Sequence, residues 1–114
     1  MTDCLFCKVV SGDMPVDIVY EDNHVMAFRD ISPQAPTHVL VIPKGHISTV
    51  NDLNTDNADV VGKMFLAAKK VAEIEGISDV GYRGVMNCNE DAGQTVFHIH
   101  LHVLGGRRMN WPPG

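Results

Sequence analysis

What the chain lacks narrows what it can do. It has three cysteines, a small and odd number, which argues against a disulfide framework and for a reducing compartment. Lys and Arg nowhere gather into a basic block and the net charge is −5. A nucleic-acid backbone is therefore not the expected partner, because such binding rests on neutralised phosphates. No apolar run approaches the ~20 residues of a membrane span, and the start, Met1-Thr2-Asp3-Cys4, has neither the basic region nor the apolar core of an export signal. The expected address is the cytoplasm, with no membrane partner. Repeats, linkers and low-complexity tracts are missing too. With 114 residues, 45% hydrophobic and 20% charged, the chain 1–114 is expected to form one domain around a single core.

What is there is concentrated near the end, in Phe97-His98-Ile99-His100-Leu101-His102-Val103-Leu104. Side chains alternate along a strand. His98, His100 and His102 would then share one face, and Ile99, Leu101 and Val103 the other. Neighbouring imidazoles would sit about 6–7 Å apart, a row able to follow a chain of phosphoryl groups. A half-buried strand with polar residues outward is the plain alternative, but three histidines in strict register point to catalysis. One zinc ion shared by the three is excluded, since alternate strand positions spread ligands too widely for bonds of ~2.0–2.1 Å.

The rest of the chain frames that strand. Residues 3–12 read as a short helix with Thr2 or Asp3 as cap, Gly12 as stop, and Leu5, Val9 and Phe6 facing inward. Cys4 and Cys7 on it form a Cys-x-x-Cys pair, readable as half a zinc site, a redox pair or two packed thiols. Residues 18–20 and 25–30 read as an antiparallel pair across a turn at 21–24. Met26, Phe28 and Asp30 share a face of the second strand; they suit a base and a ribose, or simply end a strand with an outward carboxylate. Pro33 and Pro36 make 32–36 a loop. The β-branched run 38–42 reads as a central strand, and His46 follows it as an ordinary surface histidine. Val60, Val61, Met64, Ala68, Val71 and Ala72 set helical spacing from about 55 or 56 to 75, with Asn54 or Thr55 as cap, Gly76 beyond the end, and its Met and Phe assigned to the core. Residues 81–88 read as a strand carrying Asn87, and 89–93 as a loop in which Gly93 lets backbone N–H groups approach a ligand beside the donors Gln94 and Thr95. Trp111 in the patternless tail needs a surface, which hints at a partner subunit.

These residues resemble the histidine-triad family, whose motif is His-φ-His-φ-His-φ-φ with φ apolar. The likeness spans nearly the whole chain, including Asp30-Ile31-Ser32-Pro33-Gln34-Ala35-Pro36-Thr37-His38 and Gly93-Gln94-Thr95-Val96-Phe97. The ending through Trp111-Pro112-Pro113-Gly114 is similar to the Hint branch, the purine nucleoside phosphoramidases, more than to Fhit-type dinucleoside polyphosphate hydrolases or uridylyltransferases.

The resemblance implies an α+β fold, a five-stranded antiparallel sheet with two helices, and a homodimer joining two sheets into ten strands. It implies His100 as the nucleophile, forming a nucleotidyl-histidine at the α-phosphorus of a purine nucleoside phosphoramidate. His102 would bind phosphate oxygens, with His98 and His38 orienting the triad. Thr95 and Gln94 would donate to the leaving group and phosphate, and Asn87 to phosphate or ribose. Asp30 would accept from the ribose hydroxyls, while Phe28, Ile31 and Met14 sandwich the purine of AMP or GMP. Zinc-bearing relatives similarly use Cys4, Cys7, His46 and His98 as ligands of a structural ion; no cofactor is implied for catalysis. Two departures stand out: Thr95 occupies a place where serine is common, and Arg29, beside the nucleoside, one where histidine is frequent. A dinucleotide hydrolase or nucleotidyl transferase is the second enzyme reading, and a nucleotide-binding regulatory protein the reading from another class.

Overall fold

The computed structural model describes residues 3–114. In chain order it consists of α1 (Leu5–Ser11), β1 (Ile18–Glu21), β2 (Val25–Arg29), β3 (Thr37–Pro43), a 3-10 turn (Val50–Asp52), α2 (Asp59–Glu75), β4 (Tyr82–Val85), α3 (Asn89–Ala92) and β5 (Leu101–Gly105). The five strands form one antiparallel sheet in the order β1-β2-β3-β5-β4. The architecture is the expected α+β one, with three helices where the resemblance implied two.

Alternation in the central strands explains the layering. Val25, Ala27, Val39, Val41, Leu101 and Val103 point to one face, where Met64, Ala67, Ala68 and Val71 of α2 cover them. Met26, Phe28, Leu40 and Ile42 point to the other, against Phe6 and Val9 of α1. β3 is buried along its whole length because both of its faces are covered, which is why its sequence is an unbroken apolar run. Leu40 stands opposite His102 in the β3–β5 register, and His38 opposite Leu104. Residues directly opposite share a face, so the histidines belong to the α1 side.

Several boundaries differ from expectation, each for a local reason. The N-cap of α1 is Cys4, whose Sγ accepts from the backbone N–H of Cys7 at 3.3 Å; Asp3 lies before it, and Thr2 lies outside the described residues. Leu5 is 42% exposed rather than inward. α2 begins at Asp59, not at 55 or 56, because Asn54 Oδ1 accepts from the N–H groups of Asp56 and Asn57 and holds them in a turn. On α2 Met64 is core, but Phe65 is 53% exposed. Residues 89–92 form one helical turn rather than a loop, ended by Gly93 in the left-handed region at φ 90°. β5 starts only at Leu101, after bends at 96–98, so His98 and His100 lie on its approach and His102 alone on the strand itself. Among the described residues, no helix is long and apolar enough to cross a membrane.

Candidate active site

A cavity of about 480 Å3 opens on the α1 side of the sheet, within the range of small-molecule sites. Of the residues expected to hold a nucleotide, Met14, Phe28, Arg29, Asp30, Ile31, Thr95, His100 and His102 line it. Leu5, Phe6, Val9, Pro15, Val16, Leu40 and Val96 complete the wall; in the sequence they carried no signal beyond apolarity, which reads equally as core. Asn87, Gly93 and Gln94 are not part of this wall. Gln94 is buried, and its side chain is committed within the chain. Its Oε1 accepts from Asn89 N–H at 2.8 Å, while Nε2 donates to the carbonyls of Ser48 (2.8 Å) and Val96 (3.1 Å). An amide with both hydrogens spent within the chain holds the segment that leads into Thr95. Arg29 borders the cavity, but its guanidinium forms a bidentate pair with Glu75 at 2.8 and 2.9 Å and reaches Asp17 at 3.3 Å.

The backbone assigns the imidazole tautomers. A carbonyl can only accept, so His100 Nδ1, 2.8 Å from the carbonyl of His98, carries the proton, and Nε2 keeps its lone pair. The N–H of Gln34 donates to Nδ1 of His38 at 3.0 Å. The proton of His38 therefore sits on Nε2 and is donated to Nδ1 of His102, 2.9 Å away. His102 is left with its own N–H on Nε2, a donor for an anion. Asp30 Oδ2 lies 3.5 Å from His38 Nε2, and Asp30 Oδ1 accepts from Ser32 N–H at 2.8 Å. The rings of His100 and His102 are 5.0 Å apart, centre to centre, closer than regular strand spacing because the chain is not yet regular at His100.

Burial keeps these rings neutral. It pulls His100 below the ordinary imidazole value, against the opposing pull of its hydrogen bond to the His98 carbonyl and of Asp30. His102 is pushed down to about 4 by burial and then by the neighbouring His100 and His38, with Asp30 opposing. Burial lowers His38 as well. A neutral His100 with a free Nε2 is a nucleophile that needs no separate base at neutral pH.

Next to the triad, Cys4, Cys7, His46 and His98 bring one ligand atom each to within 4.8 Å of one another. His98 Nδ1 lies 3.3 Å from Cys4 Sγ and 3.6 Å from Cys7 Sγ, and His46 Nδ1 lies 3.4 Å from Cys7 Sγ. Tetrahedral zinc with bonds of ~2.0–2.3 Å separates its ligands by roughly 3.3–3.8 Å, so the donor set fits that ion. The tautomer fits too: His98 Nε2 donates to the Pro43 carbonyl at 2.8 Å, which turns the lone pair of Nδ1 toward the thiols. Asp30, His38 and His102 form a second close trio, but the proton between His38 and His102 fills the space an ion would need. That trio is a hydrogen-bond relay.

The sequence profile of the HIT domain matches residues 11–109. Over 107 residues the chain is 52% identical to the purine nucleoside phosphoramidase of Escherichia coli strain K12, covering 94% of this chain and 90% of the relative. An uncharacterized HIT-like protein of Synechococcus elongatus is 46% identical over 112 residues, 98% of this chain and 97% of its own. A HIT family hydrolase from Legionella pneumophila superposes with a TM-score of 0.95 at 55% identity, over 98% of this chain and 100% of that one.

Proposed function

Because the chain belongs to the HIT-domain family, we propose that it is a hydrolase of purine nucleoside phosphoramidates, as the name of its Escherichia coli relative suggests. The observation that carries the mechanism is the tautomer of His100, whose Nδ1–H is held by the His98 carbonyl inside an apolar cavity. Nε2 attacks the α-phosphorus, a P–N bond to His100 forms, and the P–N bond to the amine breaks. The amine leaves as RNH2, its nitrogen taking up one proton from solvent that the hydrolytic water gives back in the next step, with the Thr95 hydroxyl at the cavity wall as its hydrogen-bond donor. Water then cleaves the nucleotidyl-histidine and releases the nucleoside monophosphate. Nε2–H of His102 is the donor to the phosphoryl oxygens, where charge grows in the transition state. Phe28, Ile31 and Met14 hold the purine of AMP or GMP, and Asp30 accepts from the ribose. By resemblance to the family, Asn87 donates to the phosphate or ribose, and the loop at Gly93 lets backbone N–H groups approach the nucleotide.

The same reading gives the chain a structural zinc ion on Cys4, Cys7, His46 and His98, which would tie α1 to the sheet. It also makes the chain a homodimer: β4 is an edge strand, and Phe65 and Tyr82 are exposed beside it. Trp111, 81% exposed with the Arg83 guanidinium 5.8 Å from its ring centre, would then reach the partner's cavity. The cytoplasmic address rests on the sequence. Parallel incubation with adenosine phosphoramidate, a diadenosine polyphosphate and UDP-glucose tests the substrate class. AMP release fastest from the phosphoramidate is expected; faster turnover of either other substrate overturns the assignment.

A further inference from the structure

We propose that metal binding at Cys4, Cys7, His46 and His98 and nucleotide binding in the cavity are thermodynamically linked, through α1 and through His98. The proposal rests on the zinc reading above and goes beyond it: the ion would act on the nucleotide site as well as on the fold.

Two physical connections run between the sites. The first is α1, a helix of seven residues, too short to hold itself together without outside contacts. Its N-cap and first turn carry the two thiols, Cys4 and Cys7. The same helix presents Leu5, Phe6 and Val9 to the cavity wall. Phe6 is the hub: its ring centre lies 5.1 Å from that of His100, 5.9 Å from His98 and 5.6 Å from Phe28. Whatever fixes the N-terminal end of α1 therefore fixes the ring that packs against both Phe28 and the nucleophile.

The second connection is His98, fully buried. Its imidazole Nδ1 faces the thiols, while its backbone carbonyl accepts the proton of His100 Nδ1 at 2.8 Å. One residue thus supplies a metal ligand with its side chain and sets the nucleophile's tautomer with its main chain. The direct polar contacts joining His98 and His46 to the thiols are N···S contacts of 3.3–3.6 Å, made by weakly hydrogen-bonding sulfur, so α1 is otherwise seated on the sheet by the apolar packing of Phe6 and Val9. An ion bound by all four ligands would select the arrangement in which the wall is closed and the His98 carbonyl is in position.

Linkage is reciprocal: if metal raises nucleotide affinity by some factor, nucleotide raises metal affinity by the same factor. A coupling on the order of tenfold is expected, within the usual range for linked sites. The experiment uses the full chain, with AMP and zinc as probes. Zinc affinity is measured by competition with a chromophoric chelator, with and without saturating AMP; AMP affinity is measured by calorimetry on zinc-loaded and chelator-stripped protein. Equal factors in the two directions, and a smaller factor in Phe6→Leu, support the proposal. Stoichiometric zinc whose affinity ignores AMP overturns it while leaving the zinc reading in place. Failure to bind zinc overturns both, and leaves the phosphoramidase reading to be judged by AMP release. Should the stripped protein unfold, the rate at which chelator removes zinc from the loaded protein replaces the calorimetry. Slowing by AMP is then expected, and an unchanged rate overturns the linkage.

Discussion

The two faces of the sheet are built differently. On one, a helix of 17 residues lies over an almost wholly buried apolar layer of valines, Ala27 and Leu101. On the other, a helix of seven residues covers only part of the surface; beside it opens the cavity lined by His100 and His102, with the Cys4, Cys7, His46 and His98 cluster next to it. The α2 side has the area to supply stability, and close packing leaves it no room for a ligand. The α1 side gives up packing for concavity and holds its parts with directed polar contacts. Stability and chemistry are thus separated by the thickness of one sheet.

His100→Ala is expected to break this division most visibly on the α1 side. Turnover should fall below a few per cent of the original, while AMP affinity stays within tenfold, because the base and ribose contacts lie elsewhere on the wall. Steady-state kinetics and calorimetry check it; substantial residual turnover would remove His100 as nucleophile. Met64→Ala is the mirror experiment, on a fully buried residue of α2. It should cost about 2–5 kcal/mol of unfolding free energy and leave the AMP affinity of the folded fraction unchanged. Urea unfolding gives the first quantity and calorimetry the second, and a large change in AMP affinity would mean the faces are not separable.

A smaller effect concerns pH. With its folded value near 4 against 6.5 for a free imidazole, His102 binds its proton less readily than in the unfolded chain. Its contribution to stability is therefore present in full above 6.5 and lost as pH falls from 6.5 toward 4. Protonation would also place hydrogens on both His38 Nε2 and His102 Nδ1, across a 2.9 Å gap, and break the relay. The expected NMR signature is a His102 ring resonance that stays still from pH 8 to about 5.5 and moves only below. A midpoint near 6.5 would show that neither burial nor the neighbouring rings exerts such an influence. The smallest expected effect comes from the tail. Deleting residues 110–114 should shift preference among phosphoramidates with different amines, without loss of folding, and sedimentation should report a dimer. Unchanged preference would detach Trp111 from the site.

Much of this was legible in one dimension. The alternation in His98-Ile99-His100-Leu101-His102 points to a histidine row facing away from Ile99 and Leu101, which join the core under α2, although only the stretch from Leu101 onward is regular strand. Gly12 and Gly76 mark helix ends because each sits in the left-handed region that L side chains rarely adopt. The pair Cys4 and Cys7 is local and could be seen as a ligand pair in waiting. What tertiary structure decided is what depends on residues far apart in the chain. Arg29 meets Glu75, 46 positions on, and no local pattern tells a paired guanidinium from one free to hold a nucleotide. Gln94 turns inward because Ser48 and Val96 present carbonyls to it. Leu5, Phe6 and Val9 had the spacing of a core face, and became a cavity wall because α1 stops after seven residues and leaves the sheet beside it uncovered. Apolarity and period report that a side chain leaves water; whether it meets another side chain or a ligand depends on which elements the fold brings opposite it.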